Sequence, residues 1–141
     1  MITIVARWDT EQIPNEYEYN LWKQIKAAFA ESPADIQFCF TPVSADPALT
    51  GISHAQYNTM DSCLSSVTGK KVFIEGAGSD SLSSIPTNED VVLIFGNTPT
   101  DNTSYITDDD LHCTIGHPNS GSFMYATSAC SVVLAAMHGQ V

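Results

Sequence analysis

The chain has 141 residues, of which 43% are hydrophobic, and this length and composition suit one globular domain with its own core. Its 16 acidic residues outnumber five Lys and Arg, the formal net charge is −11, and no lysine or arginine follows Lys71. This balance disfavours a large nucleic-acid partner, because proteins bind phosphate backbones through basic patches. With no membrane-length apolar run and no basic signal-peptide region, we expect an intracellular, cytoplasmic protein without a membrane segment.

The first half of the chain alternates strand-like and helix-like segments. Apolar side chains recur at helical spacing after Pro14, and Asn15 with Glu18 predicts a capping box at the start of that helix. Ser53 is a second predicted N-cap. In chain order, the predicted elements are a strand over 2–8, a helix over 16–31, a strand over 36–43 and a helix over 54–66.

The second half continues the alternation with three strands, over 70–76, 91–97 and 111–117, and a final helix over 123–138. Thr107 is predicted to cap a short helical turn containing three consecutive aspartates, since acids favour a helix N-terminus. The final helix, which Ser122 can cap, is apolar on nearly all sides. A helix of that kind is buried all round, so we expect it to form a subunit interface as well as part of the core.

Strands that alternate with helices predict a single α/β domain over residues 1–141. Its sheet is expected to be mostly parallel, with five or six strands and helices on both faces. Ligands of open parallel sheets bind beyond the carboxyl ends of the strands. The loops after Glu75, Gly96 and Ile115 are therefore the predicted small-molecule site.

Two local motifs have alternative interpretations. The segment from Gly76 to Asp80, GAGSD, is half of a dinucleotide-binding fingerprint, but the third glycine is absent and a strand-to-loop turn is favoured. The aspartates at 108–110, with Asp101 nearby, carry oxygen ligands suited to a hard cation. Consecutive aspartates point in different directions, however, and a solvated helix start explains them, so no metal is predicted.

Histidines and cysteines are the remaining candidates for chemistry. Among His54, His112 and His117, the last follows a predicted strand and is the best candidate for a general base. No serine-nucleophile motif is present. The four cysteines lack C-x-x-C spacing, so we predict unpaired thiols, with Cys39 and Cys130 in the core.

From residue 70 onward, four segments follow one another in a specific order: KKVFIEGAG, EDVVLIFGNTPTDN, YITDDDLHCTIGHPNSGS and FMYATSACSVVLAAMHG. This order resembles the carboxyl-terminal half of the SpoU-type branch of the SPOUT methyltransferases. In that family a strand ends in a Phe-Gly or Leu-Gly turn, an acidic turn follows, and a Ser-Leu-Asn segment opens a final Ala-rich helix. The first half matches in element order, and its opening, MITIVARWDTEQIPN, looks like the family's first strand and loop.

The resemblance implies a parallel α/β sheet with a trefoil knot at its carboxyl end, an exception to the rule that chains do not thread. It also implies a homodimer, which agrees with the apolar final helix. Members of the family bind S-adenosylmethionine in the knot loops and transfer its methyl group to a ribose 2′-hydroxyl of RNA.

Carried onto this chain, the resemblance marks cofactor-binding positions at the strand ends. Gly96 and Ile115 match family positions whose loops hold the cofactor. The complete predicted cofactor-binding set is Glu75, Gly76, Gly96, Asn97, Ile115, Ser122 and Phe123.

The polar positions of the family differ here. The family's Asn and Arg, three residues apart, have their nearest match in Asn20 and Lys23, and lysine lacks the planar fork of arginine. The further replacements are Thr98 for a glutamate, Met124 or Tyr125 for an asparagine, and Gly116 for a proline. Lys23 and His117 are accordingly the predicted catalytic bases.

Three hypotheses follow from the sequence. The first is a protein that binds S-adenosylmethionine and methylates RNA, although the net charge of −11 disfavours the RNA partner. The second is a degenerate relative that uses the same fold for binding or interaction without methyl transfer. The third is a flavodoxin-like α/β domain that binds another nucleotide, since fold alone does not fix function.

Overall fold

The computed structural model describes residues 1–8, 15–31, 35–76, 78–96, 102–115 and 124–139. Its strands are β1 (Ile2–Arg7), β2 (Ile36–Thr41), β3 (Ala55–Gln56), β4 (Lys70–Ile74), β5 (Val91–Phe95) and β6 (Leu111–Cys113). Its α-helices are α1 (Asn15–Phe29), α2 (Pro47–Ile52), α3 (Met60–Ser66) and α4 (Ala126–Met137). Two short 3₁₀ turns, Leu82–Ser84 and Thr103–Tyr105, precede β5 and β6. None of the helices within these ranges is long and apolar enough to cross a membrane.

The six strands form one sheet in the order β3-β2-β1-β5-β4-β6. Each pair of neighbouring strands is parallel, so the predicted α/β class and parallel sheet are confirmed. β1 lies between β2 and β5: the chain first builds β2 and β3 on one side of β1 and then β4, β5 and β6 on the other. The gap between the carboxyl ends of β1 and β5 is therefore the point where the strand order reverses, which is where such sheets bind ligands.

The larger core lies on the face covered by α1, α2 and α4. Trp22 of α1 is fully buried, and its ring packs at 5.4 Å from that of Phe38 and 5.8 Å from that of Phe40. This apolar stripe of α1 is the one that helical spacing predicts, because residues three and four apart share a face.

A smaller core lies on the other face of the sheet. It joins Val5, Phe73 and Ile94 to two residues of α3, Met60 and Cys63. Helices thus lie on both faces of the sheet, as the alternating pattern predicts. Alternate residues of each strand enter opposite cores, which explains why the buried strands read as continuous apolar runs.

The predicted helix over 54–66 is wrong in its first half. Ser53 does not begin a helix but closes α2, and its backbone N–H donates to the carbonyl oxygen of Leu49. Asp46 caps α2 and Thr59 caps α3, each through a side-chain oxygen that accepts from a backbone N–H of the first turn. Between the two helices, β3 joins the edge of β2, because strand pairing overrides the weak local helical signal there.

The final helix begins later than predicted, at Ala126, and only one of its faces is fully buried within the chain. Met124 and Tyr125 just before it are exposed by 47% and 48%, and Ser128 is also exposed. The expectation of burial on all sides is therefore not met within one chain. Ser122 and the segments on which the knot depends lie outside the described residues, so the knot and that cap remain predictions.

All four cysteines are buried and unpaired, which confirms the prediction of free thiols. Cys130 lies in the larger core and Cys39 in the smaller one. Burial raises the pKa of Cys39 to about 11 and, with the neighbouring Cys39 as a second cause, that of Cys63 to about 12. These thiols are packing residues, because only the thiolate form is reactive.

Candidate functional site

Three predicted ligand-binding positions lie together at the carboxyl ends of β5, β4 and β6, which are neighbours in the sheet. Ile74, the last residue of β4, is in register with Phe95 of β5 and Cys113 of β6. Glu75 directly follows Ile74 and Gly96 directly follows Phe95, so these two residues lie side by side. The Glu75 N–H donates to the carbonyl oxygen of Cys113 over 3.1 Å, which continues the ladder beyond the strand. We call this region the carboxyl edge.

The segment after β4 is tied to β6 by a set of hydrogen bonds. Thr114 Oγ1 lies 3.0 Å from the Glu75 carbonyl oxygen and 3.1 Å from that of Gly78, and it accepts a bond from the Gly78 N–H. Further along, the Asp80 N–H donates to the His112 carbonyl oxygen, and Asp80 Oδ2 accepts from the His112 N–H over 2.8 Å. These contacts hold Glu75 and Ile115 in fixed relative positions.

Of the two glycines in the GAGSD segment, Gly78 is required by the packing. A Cβ atom on Gly78 would lie 2.6 Å from the His112 carbonyl oxygen and 2.7 Å from the Cys113 carbonyl carbon. No side chain fits there, because the segment runs directly against the backbone of β6. A Cβ atom on Gly76, by contrast, would meet nothing within 4 Å. This geometry agrees with the turn that we favoured over a dinucleotide site.

Arg7 and Asn102 belong to the carboxyl edge, although the sequence did not mark either residue. Arg7 ends β1, and its Nη2 donates to Asn102 Oδ1 over 2.7 Å. The backbone N–H of Asn102 donates in turn to Glu75 Oε1 over 2.8 Å. Asn102 is fully buried, so the three residues form a fixed chain from β1 to β4. The sequence feature that could have identified this group is the position of Arg7 near the end of the first strand.

Lys23, a predicted catalytic base, lies in a different part of the molecule. It lines a cavity of 430 Å³ between α1 and α2, with Tyr19 and Lys26 on the same helix and Ile52 opposite. Its ammonium lies 5.2 Å from the centre of the Tyr19 ring, which is a cation–π contact. We call this cavity the α1–α2 pocket. The structure does not place Lys23 with the strand ends, and its role as a base remains a prediction.

The acidic segment before β6 forms a turn rather than a helix capped by Thr107. Asp110 Oδ2 accepts from the Thr107 N–H over 2.9 Å and from its hydroxyl over 3.0 Å, so the aspartate is the capping group. The Asp109 carbonyl oxygen accepts from Lys70 Nζ. Within the described ranges, no three His, Cys, Asp or Glu side chains lie close enough together to hold a metal ion.

Four predicted site residues cannot be placed. His117, Asn97, Ser122 and Phe123 lie outside the described residues, and their predicted roles stay untested. Ile115 is half-buried and packs against the larger core. Gly76 is exposed, whereas Glu75 and Gly96 are half-buried. The carboxyl edge thus presents a mixture of fixed polar groups and apolar wall, as ligand sites commonly do.

No protein-family model matches the chain, and no curated protein matches it. Solved structures do match. A protein studied for the 2-OH methylation of C/U34 on tRNA shares 16% identity at a TM-score of 0.69, with 99% of this chain and 90% of that one covered. The SpoU methyltransferase AviRb from Streptomyces viridochromogenes shares 14% identity at a TM-score of 0.65, and an AdoMet-bound rRNA methyltransferase from Sinorhizobium meliloti shares 16% at 0.61.

This chain spans 60% of the AviRb chain and 56% of the Sinorhizobium meliloti chain, with 99% of its own residues covered in both cases. At these identities, the likeness establishes the fold. The chain therefore shares the α/β fold of these methyltransferases, which confirms the parallel α/β sheet that the sequence resemblance implied.

Proposed function

We propose that the protein binds S-adenosylmethionine at the carboxyl edge and is a divergent SpoU-type methyltransferase. The observation that carries the proposal is the alignment of Glu75, Gly96 and Ile115 at the ends of three neighbouring strands, in a fold shared with AdoMet-bound methyltransferases. The remaining contacts would come from Gly76, Asn97, Ser122 and Phe123.

The residues at the carboxyl edge fit this cofactor. Asn102 Nδ2 is a buried donor with no acceptor in the part of the chain that the structure describes, and the purine and carboxylate groups of the cofactor offer acceptors. The Glu75 carboxylate, in a chain of net charge −11, favours a cationic sulfonium group. When bound, S-adenosylmethionine supplies an electrophilic methyl group to an incoming oxygen.

The proposed acceptor is a ribose 2′-hydroxyl of RNA. The contribution of this chain is to hold that hydroxyl in line with the methyl group, since placement alone supplies much of the rate in such reactions. A base must also take the hydroxyl proton. His117 and Lys23 are the proposed bases, and a histidine titrates nearest to neutral pH.

A second function, a binding protein without methyl transfer, is favoured by one observation. The five Lys and Arg residues all lie at or before Lys71, so the half of the chain that forms most of the carboxyl edge offers RNA no lysine or arginine. In this alternative the cofactor pocket persists and the RNA surface is lost. Both functions fit the cytoplasm, where four unpaired thiols stay reduced.

Isothermal titration calorimetry with S-adenosylmethionine and S-adenosylhomocysteine tests the cofactor. We expect saturable heat with both ligands, and no heat with Gly96→Trp, in which an indole fills the space beside Glu75. Circular dichroism establishes that the variant is folded. No heat from the wild-type protein at millimolar ligand would remove the proposal.

If the cofactor binds, transfer of a tritiated methyl group to total RNA tests the reaction. Alkali does not cleave the bond that follows a 2′-O-methylated ribose. Label recovered in a dinucleotide after alkaline hydrolysis would therefore identify a ribose 2′-O product. Cofactor binding without label would favour the second function.

We also propose that the protein is a homodimer that pairs through α4 and the neighbouring face of α1. A groove of 260 Å³ between these helices is lined by Leu21, Ile25 and Ser128, among others, and Leu21 remains 37% exposed. Light scattering should give twice the chain mass for the wild type and the chain mass for Leu21→Glu. Asn20→Glu, an equal charge change at a neighbouring exposed position, should remain dimeric.

A further inference from the structure

Arg7 is a half-buried cation that Asn102 holds in place, and no ion pair among the described residues includes it. Its Nη2 donates to an amide oxygen, Asn102 Oδ1, over 2.7 Å. Its Nε is buried and has no acceptor among the described residues. An amide oxygen accepts a hydrogen bond but carries no charge, so this contact does not neutralise the guanidinium.

That Arg7 has no ion-pair partner among the described residues is informative, because acids outnumber bases 16 to five in this chain. Within the described part of the chain, the single ion pair joins the N-terminal ammonium to Asp90, and none involves Arg7. A partly buried charge is costly unless an opposite charge accompanies it. With no ion pair to Arg7 among the described residues, a further anion is expected to bind beside its guanidinium.

The position of Arg7 points to a ligand as that partner. It ends β1, at the point where the strand order reverses and open α/β sheets bind ligands. Thr41, its register partner on β2, has a buried hydroxyl with no hydrogen-bond partner among the described residues, and Arg7 Nε is a second donor of this kind. The group is rich in donors, which suits a ligand rich in acceptor oxygens.

We propose that Arg7 binds a phosphodiester group of the nucleic-acid substrate, and that Asn102 is the residue that positions it. A guanidinium suits phosphate because its planar fork matches two phosphate oxygens. The identity of the substrate rests on the proposed function, whereas the anion site rests on the contacts of Arg7. This single cation explains how a strongly acidic chain retains one point of attachment for RNA.

Asn102 also links the phosphate site to the proposed cofactor site. Its side chain holds Arg7, and its backbone N–H donates to Glu75 Oε1 over 2.8 Å. A phosphate on Arg7 would therefore be held at a fixed distance from the cofactor-binding strand ends. That arrangement would place the ribose beside the phosphate rather than merely attract RNA to the surface.

Fluorescence anisotropy with a labelled single-stranded RNA oligonucleotide tests the site in the full chain at low salt. We expect Arg7→Gln to weaken binding about 10-fold or more, the loss typical of a charge-assisted hydrogen bond. The slope of log affinity against log salt should fall by about 0.7, the value for one phosphate contact on a single strand. Lys71→Gln removes the same charge at the other end of the sheet and should change the affinity less than about 2-fold.

Asn102→Asp separates an anion site from a purely structural contact. The aspartate keeps the acceptor for Arg7 Nη2 and the shape of the side chain, but it neutralises the guanidinium. We expect RNA binding to fall as far as in Arg7→Gln, while urea unfolding shows a stability equal to or above that of the wild type. If Arg7 only stabilised the fold, this variant would bind RNA as the wild type does.

The outcomes separate this inference from the proposed function when S-adenosylmethionine calorimetry is run on the same variants. RNA binding that depends on Arg7, without cofactor heat, would support the phosphate site and refute the proposed function. Cofactor heat with no RNA binding by the wild type would overturn the phosphate site alone. Loss of cofactor affinity with unchanged RNA affinity would also overturn it, because the anion would then be the carboxylate of the cofactor.

Discussion

The carboxyl edge and the α1–α2 pocket each present positive charge, but they hold it in different ways. At the carboxyl edge, the Arg7 guanidinium is half-buried and fixed by a fully buried asparagine. In the α1–α2 pocket, the exposed Lys23 ammonium lies over an aromatic ring on its own helix, and Lys26 is half-buried. The two regions therefore differ in rigidity more than in charge.

The difference shows which region is suited to position a substrate. A reacting group must be held to within a fraction of an ångström, which requires side chains fixed by packing and hydrogen bonds. The carboxyl edge has both, since its chain of contacts runs through Glu75 into the strand ladder. A lysine on a helix surface has four rotatable bonds and is suited to attract an anion rather than to place it.

The largest expected effect on stability comes from Gly78→Ala, which disrupts the backbone packing of the carboxyl edge. The added Cβ atom would lie 2.6 Å from a carbonyl oxygen of β6 and would push the two segments apart. We expect a loss of about 2 kcal/mol or more in the free energy of unfolding, measured in urea. Gly76→Ala, with no atom within 4 Å, is the matched control and should change it by less than about 0.5 kcal/mol. Equal losses of stability in the two variants would show that the segment around Gly78 can move away from β6 at little cost.

A smaller loss of stability is expected when the pH rises, because the Cys113 thiol at the same edge ionises. Burial, and secondly the Asp80 carboxylate, raises the pKa of Cys113 from 9.0 to about 11. The thiol ionises more readily in the unfolded chain, so its contribution is complete below pH 9 and is lost between about pH 9 and 11. At pH 10 the loss is on the order of 1 kcal/mol for this one thiol.

Comparison with Cys113→Ala isolates that contribution. Urea unfolding at pH 7.5 and pH 10 should show a pH-dependent loss of stability that is smaller in the variant than in the wild type by on the order of 1 kcal/mol. The other buried thiols contribute equally to both proteins and cancel. An identical pH dependence in the two proteins would mean that Cys113 is open to solvent and that the edge is loosely packed.

The smallest effect on stability is expected in the α1–α2 pocket. Lys23→Ala and Lys26→Ala should each change the free energy of unfolding by less than about 0.5 kcal/mol, since surface lysines without ion pairs contribute little. In the methyl-transfer assay, loss of a general base would lower the rate at least about 100-fold. Only Lys23→Ala should do this if Lys23 is the base, and Lys26→Ala is its control. Unchanged rates in both variants would leave His117 as the proposed base.

The sequence predicted the elements whose signal is contained within one segment. The apolar spacing of α1 and the continuous apolar run of β5 each specify an element and its buried face, and both are found where expected. The failure over 54–66 has the same origin, because a short segment of mixed pattern holds no decisive local signal. There, pairing with β2 and the caps on Asp46 and Thr59 decide the structure.

For the candidate site, the sequence determined which strand ends carry ligand-binding residues, since a parallel sheet collects those ends at one edge. Only the tertiary structure decided what meets there. Arg7 and Asn102 are 95 residues apart in the chain, and no local pattern links them. Gly78 is likewise required by the backbone of β6, which lies more than 30 residues further on. Local periodicity specifies the face that an element buries, whereas contacts between distant segments depend on strand order, register and the packing of the whole core.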